Sequence, residues 1–200
     1  MSDDDIVSTR DAPWLVVGWF TPDYRELAES LAFQLKAHGA PYHLFAKPKL
    51  ESGWNTSRKP IVVLEAMNTY PGKTIILMDV DCRIRGDISL AANVEGDVGI
   101  TVLARNMRRG RKKLQHWVAM ECSSRVVVFK PTEGAHTFLE RWSAQITRSS
   151  FNHDEHSMVW TYLSSPGVRF DYIKPQYSGR EFDKMPGGVI VHDSAHNAQR

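Results

Sequence analysis

The chain has 200 residues, of which 42% are hydrophobic and 24% are charged, and its formal net charge is +2 at pH 7. This composition is typical of one globular domain, so we expect no second domain, and the small net charge gives no overall signal of a polyanion-binding protein. No apolar run approaches the roughly 18 residues of a membrane span, and the acidic start lacks a signal-peptide pattern. We therefore expect a single cytoplasmic domain over residues 1–200, with a flexible leader over 1–12.

The first part of the chain predicts a β-α-β unit. The apolar run Trp14–Phe20 is typical of a buried strand, and Thr21, followed by proline and an acid, can begin a helix. Apolar residues then recur at helical spacing from Tyr24 to Leu35, and Tyr42–Phe45 predicts a second strand. This order favours parallel strands joined by a helix, and hence an α/β fold.

A second predicted helix follows a polar loop and precedes the next strand. Its inward positions are expected at Ile61, Leu64 and Met67. Lys59 lies in its first turn, where a positive charge opposes the helix dipole. An anionic ligand would remove that conflict, although a solvated lysine explains the residue equally well.

Two carboxylates follow the apolar run Ile75–Met78, which predicts a strand buried on both faces. Strand alternation would place Asp79 and Asp81 on the same face, about 7 Å apart along the chain, at the carboxyl end where α/β sheets bind ligands. Two such oxygen donors can share one divalent ion with the phosphates of a ligand. The alternative is a pair of solvated loop residues.

The second half of the chain predicts further strands over residues 97–103, 125–131 and 168–173. Between the first two of these, the segment Arg105–Lys113 carries six cations in nine residues. Cations at that density repel one another, which favours a polyanionic partner, although a solubilising loop is the alternative.

Two more helices are predicted, the first capped by Thr132 and the second beginning near Asp154. Asp154 and Glu155 together exceed what a helix start needs, so we expect them to have a polar role at a ligand. A short apolar strand near the end of the chain is followed by His192.

Taken in order, these motifs resemble the nucleotide-diphospho-sugar transferases of the GT-A fold, and the retaining members most of all. The segment Leu77-Met-Asp79-Val-Asp81 resembles the family's Asp-X-Asp stretch, and a later acid of that stretch is matched by Asp87. Lys59, Pro60 and Ala66 match the family's Lys-Pro helix, and Lys130-Pro-Thr132 matches its Lys-Pro-Thr block. Cys122-Ser-Ser-Arg125 departs from the family's Asn-Ser-Gly.

The resemblance implies a single-domain GT-A, or Rossmann-like, fold with a mostly parallel central sheet flanked by helices. It implies a metal-dependent hexosyltransferase that moves a sugar from a nucleotide-diphosphate sugar, with a UDP-sugar favoured, to an acceptor hydroxyl with retention. The acceptor would meet the basic segment and is expected to be polyanionic, such as an acidic glycan or a modified nucleic acid.

The resemblance also assigns site residues. Mn²⁺ or Mg²⁺ would be held by Asp79, Asp81 and His192, with His196 as the alternative histidine. The donor would contact Thr21, Lys59, Asp79 and Val80, and the catalytic positions would be Asp154 and Glu155.

Two other functions remain open on the sequence. A haloacid-dehalogenase-type phosphatase would use Asp79 as a nucleophile, but it needs Thr or Val two residues after the second aspartate, where this chain has Arg83, and a later acidic pair. A nucleotide-sugar-binding module without catalysis is the other possibility. Product analysis with a labelled donor separates all three.

Overall fold

A seven-stranded sheet forms the centre of the computed structural model, which describes residues 4–50, 55–107, 117–148, 154–181 and 187–192. Within those ranges, the central strands are β1 (Ile6–Ser8), β2 (Trp14–Phe20), β3 (Tyr42–Ala46), β4 (Thr74–Met78), β6 (Val98–Met107), β7 (Trp117–Phe129) and β8 (Phe170–Tyr172). A smaller sheet contains β5 (Cys82–Ile84), β9 (Arg180–Glu181) and β10 (Ile190–His192). The helices are α1 (Arg25–Ala37), α2 (Lys59–Thr69), α3 (Glu133–Arg148) and α4 (Asp154–Leu163).

The central sheet has the strand order β1-β3-β2-β4-β7-β6-β8 and is mixed. β2 runs parallel to β3 and β4, and β6 runs parallel to β8, whereas the other three pairings are antiparallel. The predicted α/β architecture is confirmed, but the sheet is less parallel than expected. The reason is that β6 and β7 form a long hairpin, which needs no crossover helix.

The expected flexible leader contains an edge strand. β1 pairs antiparallel with β3, with Ile6 opposite Leu44. The Asp5 carboxylate accepts a hydrogen bond from the Ala46 backbone N–H at 2.8 Å. Residues 5–8 are therefore attached to the sheet, which corrects the prediction of a leader that extends to residue 12.

The two faces of the central sheet pack against different helices. On one face, sheet residues such as Val16 pack with Leu31 and the rest of the apolar stripe of α1. On the other face, Leu77 packs with Phe138 and Trp142, which come from α3 and are fully buried. Because both faces are covered, β2 and β4 are apolar along nearly their whole length.

The buried stripe of α2 differs from the predicted one. Ile61 is 55% exposed, and the buried positions include Val62, Val63 and Ala66. Met67 is buried as predicted. The helix is apolar on more than one side, so spacing alone did not identify its inward face.

Two further findings bear on the chain as a whole. Cys82 and Cys122 are both buried free thiols. None of the helices in the described ranges is long and apolar enough to cross a membrane.

Candidate functional site

The three predicted metal ligands lie together at the carboxyl end of β4. After β4 ends at Met78, the chain turns, and the Cys82 N–H donates to the Asp79 carbonyl oxygen at 3.0 Å. β5 then begins at Cys82 and pairs antiparallel with β10, which places His192 opposite Cys82. As a result, one ligand atom each from Asp79, Asp81 and His192 lies within 4.8 Å of the others. A tight turn and a second sheet bring these groups together, rather than the strand alternation expected from the sequence.

The donor set suits a divalent cation. Two carboxylates and one imidazole supply oxygen and nitrogen atoms of the kinds that bind Mn²⁺, and Mg²⁺ commonly binds one or two carboxylates together with substrate phosphates. His192 Nε2 lies 3.0 Å from Asp81 Oδ2, so the imidazole already points at its neighbouring carboxylate. Since three ligands leave positions for water or phosphate oxygens, a bound nucleotide diphosphate could share the ion.

Lys59 lies behind this cluster and is buried, with 2% of its surface exposed. Its Nζ is 2.8 Å from Asp79 Oδ1, 2.8 Å from Asp154 Oδ2 and 3.0 Å from Ser124 Oγ. The alternative of a solvated lysine is therefore wrong. The conflict with the helix dipole is relieved by protein carboxylates, while a direct contact with a donor diphosphate stays a prediction.

The two predicted catalytic acids have different environments. Asp154 is 3% exposed and accepts a hydrogen bond from Ser124 Oγ at 2.5 Å in addition to its ion pair with Lys59. Glu155 is half-buried, and its carboxylate has no hydrogen-bond or ion-pair partner in the described part of the chain. Of the two, Glu155 is the acid with an uncommitted side chain.

Burial and neighbouring charges alter the acidity of this cluster. Burial raises the pKa of Asp79 to about 6, the Lys59 ammonium opposes that rise, and Asp81 adds to it. Burial alone would lower the pKa of Lys59, but Asp154 and Asp79 outweigh burial and hold it above its ordinary value. Burial makes the largest contribution to the raised pKa of Glu155, and the negative charge of Asp154 raises this pKa further. Perturbed acidity of this kind is typical of functional sites.

A pocket of about 290 Å³ opens beside the cluster, at the carboxyl ends of β2 and β4. Thr21, Lys59, Asp79 and Val80, the four residues predicted to contact a donor, all line it. The structure thus brings the predicted donor residues and two predicted metal ligands to one cavity. The described residues that line it are Trp19, Phe20, Thr21, Tyr24, Thr56, Lys59, Asp79, Val80 and Asp81.

Sequence reasoning missed several residues of this site. Tyr24 was expected on the inward stripe of α1, but it is 39% exposed and lines the pocket. Ser124 was noted as a departure from the family pattern, and it in fact hydrogen-bonds both Lys59 and Asp154. No pattern of single residues marks a serine in a strand as the partner of a lysine 65 positions earlier.

Some predicted residues lie outside the described ranges. These are His196 and the basic residues from Arg108 to Lys113, and the side chain of Arg105 is likewise not described. Their predicted roles stay predictions.

Solved structures of similar fold are glycosyltransferases. A glycosyltransferase involved in glycosylation of the major capsid of PBCV-1 has a TM-score of 0.63 at 12% identity, with 92% of this chain and 95% of that chain covered. The galactosyltransferase LgtC, solved with donor and acceptor sugar analogues, has a TM-score of 0.56 at 10% identity, with 90% and 87% covered. The glycosyltransferase GlyE of Streptococcus pneumoniae has a TM-score of 0.55 at 12% identity, with 90% and 54% covered.

Sequence comparison adds no relatives, since no protein-family model and no curated protein matches the chain. At such low identities the structural likeness establishes the fold and nothing finer. The chain has the α/β fold of GT-A glycosyltransferases, as its motifs predicted.

Proposed function

We propose that the protein is a metal-dependent glycosyltransferase that moves a sugar from a nucleotide-diphosphate sugar to an acceptor hydroxyl. The observation that carries this proposal is the convergence of Asp79, Asp81 and His192 beside the pocket at the carboxyl end of β4. The fold shared with known glycosyltransferases supports the same reaction class. A UDP-sugar donor, transfer with retention and a cytoplasmic location stay predictions.

Each part of the site has a distinct proposed role. Asp79, Asp81 and His192 would hold Mn²⁺ or Mg²⁺, which would neutralise the diphosphate as it leaves. The pocket wall formed by Thr21, Tyr24 and Val80 would bind the nucleoside, because it combines polar and apolar surface at the carboxyl ends of β2 and β4.

Glu155 is the proposed catalytic acid that faces the sugar or the acceptor. Its carboxylate is unpaired in the described structure, and its raised pKa makes its protonation state sensitive to its surroundings. Asp154, the second predicted catalytic residue, is almost fully buried and is paired with Lys59.

The metal site is tested by thermal shift with UDP in the presence and absence of Mn²⁺. At 100 times the dissociation constant, a ligand stabilises the fold by about 2.7 kcal/mol, which corresponds to a melting-temperature rise of roughly 5–10 °C for a domain of this size. Asp81→Ala should abolish the part of the rise that depends on Mn²⁺. The matched control is Asp87→Ala, which removes an exposed acid six residues further on. If Asp81→Ala keeps the full Mn²⁺-dependent rise, the assignment is wrong.

Product analysis with labelled nucleotide sugars separates the competing functions. A transferase yields a labelled acceptor, a phosphatase releases inorganic phosphate from a phosphate ester through Asp79, and a binding module leaves its ligand intact. In the same assay, Glu155→Gln should lower turnover while the KM for the donor stays near its original value. Unchanged turnover would remove Glu155 from the catalytic site.

A further inference from the structure

We propose that Lys59 and Asp154 form a buried bridge that positions the metal-binding carboxylate of Asp79, so that both act as positioning residues for the metal site. The inference rests on the proposed metal site. It assigns both residues a role different from the donor-contact and catalytic roles expected from the sequence.

Lys59 uses its hydrogen-bond donors on partners within the protein. An ammonium group has three N–H donors, and Lys59 Nζ has acceptors on three different residues within 3.1 Å: Asp79, Asp154 and Ser124. Both oxygens of Asp79 are among them, at 2.8 and 3.1 Å. The donors are thus already used within the protein, and a diphosphate could bind this ammonium only by displacing one of these partners.

Asp154, at the other end of the bridge, is held by hydrogen bonds to its side chain and its backbone. Ser124 Oγ donates to Asp154 Oδ2, and the Trp142 indole N–H donates to the Asp154 carbonyl oxygen at 3.2 Å. Trp142 is fully buried, so its ring cannot move without disturbing the core. Asp154 is therefore anchored through both its side chain and its backbone.

The bridge connects four separate elements of the fold. Lys59 begins α2, Asp79 follows β4, Ser124 lies on β7, and Asp154 begins α4. The side chains of Lys59 and Asp154 are 3% and 4% exposed, whereas that of Asp79 is 23% exposed. The two bridge residues are almost fully buried and the metal ligand is more exposed, an arrangement that fixes the orientation of that ligand.

Charge repulsion and positioning predict opposite effects of removing Lys59 on metal binding. A positive charge 2.8 Å from Asp79 repels a cation, so by charge alone its loss would tighten metal binding. If Lys59 instead holds Asp79 in place, its loss must weaken metal binding, as loss of a group that orients a ligand typically does by about 10- to 100-fold. Weaker metal binding after loss of Lys59 would therefore indicate positioning, and tighter metal binding would indicate charge repulsion.

The test is the affinity for Mn²⁺ alone, measured by electron paramagnetic resonance titration of the full-length chain. Lys59→Met should weaken Mn²⁺ binding by about tenfold or more. Its matched control is Lys73→Met, because Lys73 Nζ also donates to protein oxygens, those of the Arg10 and Ala12 carbonyls, but lies away from the site. Tighter or unchanged binding by folded Lys59→Met would overturn the proposal.

Ser124→Ala keeps the test decisive if Lys59→Met does not fold. It removes the hydroxyl that bonds both Lys59 and Asp154 without changing any charge, and it should weaken Mn²⁺ binding and lower kcat while the KM for the acceptor is unchanged. Wild-type Mn²⁺ affinity in that variant would overturn the bridge. If the wild-type chain binds Mn²⁺ but transfers no sugar, only the proposed reaction fails, whereas a wild-type chain that binds no Mn²⁺ overturns both proposals.

Discussion

Both ring nitrogens of His43, a buried residue outside the candidate site, are hydrogen-bonded. Its ring is 1% exposed and lies 3.0 Å from Asp5 through Nε2 and 2.9 Å from the Tyr70 hydroxyl through Nδ1. Burial lowers the pKa of His43, although the hydrogen bond to Asp5 opposes the shift. The ring is therefore neutral at pH 7. Because a carboxylate only accepts, Nε2 carries the proton, and Nδ1 accepts from Tyr70.

This lowered pKa makes the stability of the fold depend on pH. The unfolded chain protonates His43 near pH 6.5 and the folded chain only at lower pH, so this contribution is complete above pH 6.5 and is lost as the pH falls. Asp5 and Glu65 favour the charged ring and Lys47 opposes it, but burial outweighs them. Urea unfolding should show a smaller loss of stability between pH 7.5 and 5.5 in His43→Gln than in the wild type. His38→Gln, which changes an exposed histidine, should keep the wild-type loss, and an equal loss in both variants would contradict the prediction.

At the scale of single residues, the sequence indicated which residues belong to the site but not which side chains they contact. The grouping of Asp79, Asp81 and His192 was predictable because the two acids follow a buried strand and because the resemblance to GT-A transferases implies a histidine near the end of the chain. The inward orientation of Lys59 was not predictable, because it depends on Asp154 and Ser124, which are distant in the sequence. Long-range ion pairs follow from tertiary packing and leave no local pattern.

The close packing of β2 against β4 links the central sheet to the metal turn. Gly18 lies inside β2, and a Cβ atom there would lie 2.9 Å from the Met78 carbonyl oxygen and 3.0 Å from Leu44 Cδ2. The Met78 carbonyl belongs to the backbone just before Asp79, so it cannot move without shifting the turn that carries the ligands. A side chain at Gly18 would therefore disturb both the sheet and the site.

Gly18→Ala should lower the free energy of unfolding by about 1–3 kcal/mol, because the added methyl group overpacks a close backbone contact. Urea denaturation measures this change. Gly86→Ala is the matched control, since its Cβ would meet only Val189 methyl groups at 3.5 and 3.8 Å, and we expect a change within about 0.5 kcal/mol. Equal stability of the two variants would show that the sheet can absorb the methyl group.

At the scale of elements, hydrophobic pattern predicted the buried strands and the half-exposed β8 but missed the polar half of β7. β2 and β4 were found because both are apolar and bounded by turns. β7 begins at Trp117, eight residues before the predicted strand, because the run through Glu121, Ser123 and Ser124 is too polar to indicate a buried strand. Pairing with β6 forms that half of β7, so it depends on a partner strand rather than on local sequence.

At the scale of the whole molecule, the long β6–β7 hairpin extends from the same end of the central sheet at which the candidate site lies. β4 ends where Met78 pairs with Val126, and the β6–β7 ladder continues past that point to the pair Met107 and Trp117. Asp79 and Asp81 follow β4 at this end of the sheet. The backbone therefore brings the start of the basic segment to the side of the fold where a donor and an acceptor would meet.

The charge of the basic segment Arg105–Lys113 predicts a polyanionic acceptor. Six cations between Arg105 and Lys113 would bind a polyanion by releasing its counterions, so binding should weaken steeply as salt rises. Binding to single- and double-stranded DNA should be measured from about 50 to 200 mM salt, a range over which six phosphate contacts cost roughly 10³-fold in affinity. A joint variant should flatten this dependence and raise the KM of a polyanionic acceptor without changing nucleotide binding. The residues changed to alanine are Arg108, Arg109, Arg111 and Lys112.

The control variant for the basic segment removes positive charge from another part of the chain. Arg25 and Lys36 lie on α1, so their joint change to alanine removes cations from a helix of ordinary charge density and should leave the salt dependence intact. An acidic glycan should be tested across the same salt series as the DNA. Both polymers are negatively charged but only DNA carries bases, so the comparison distinguishes a sugar acceptor from a nucleic acid. If neither polymer binds at low salt, a polyanionic acceptor is excluded. The six cations then serve only to keep the segment in solvent.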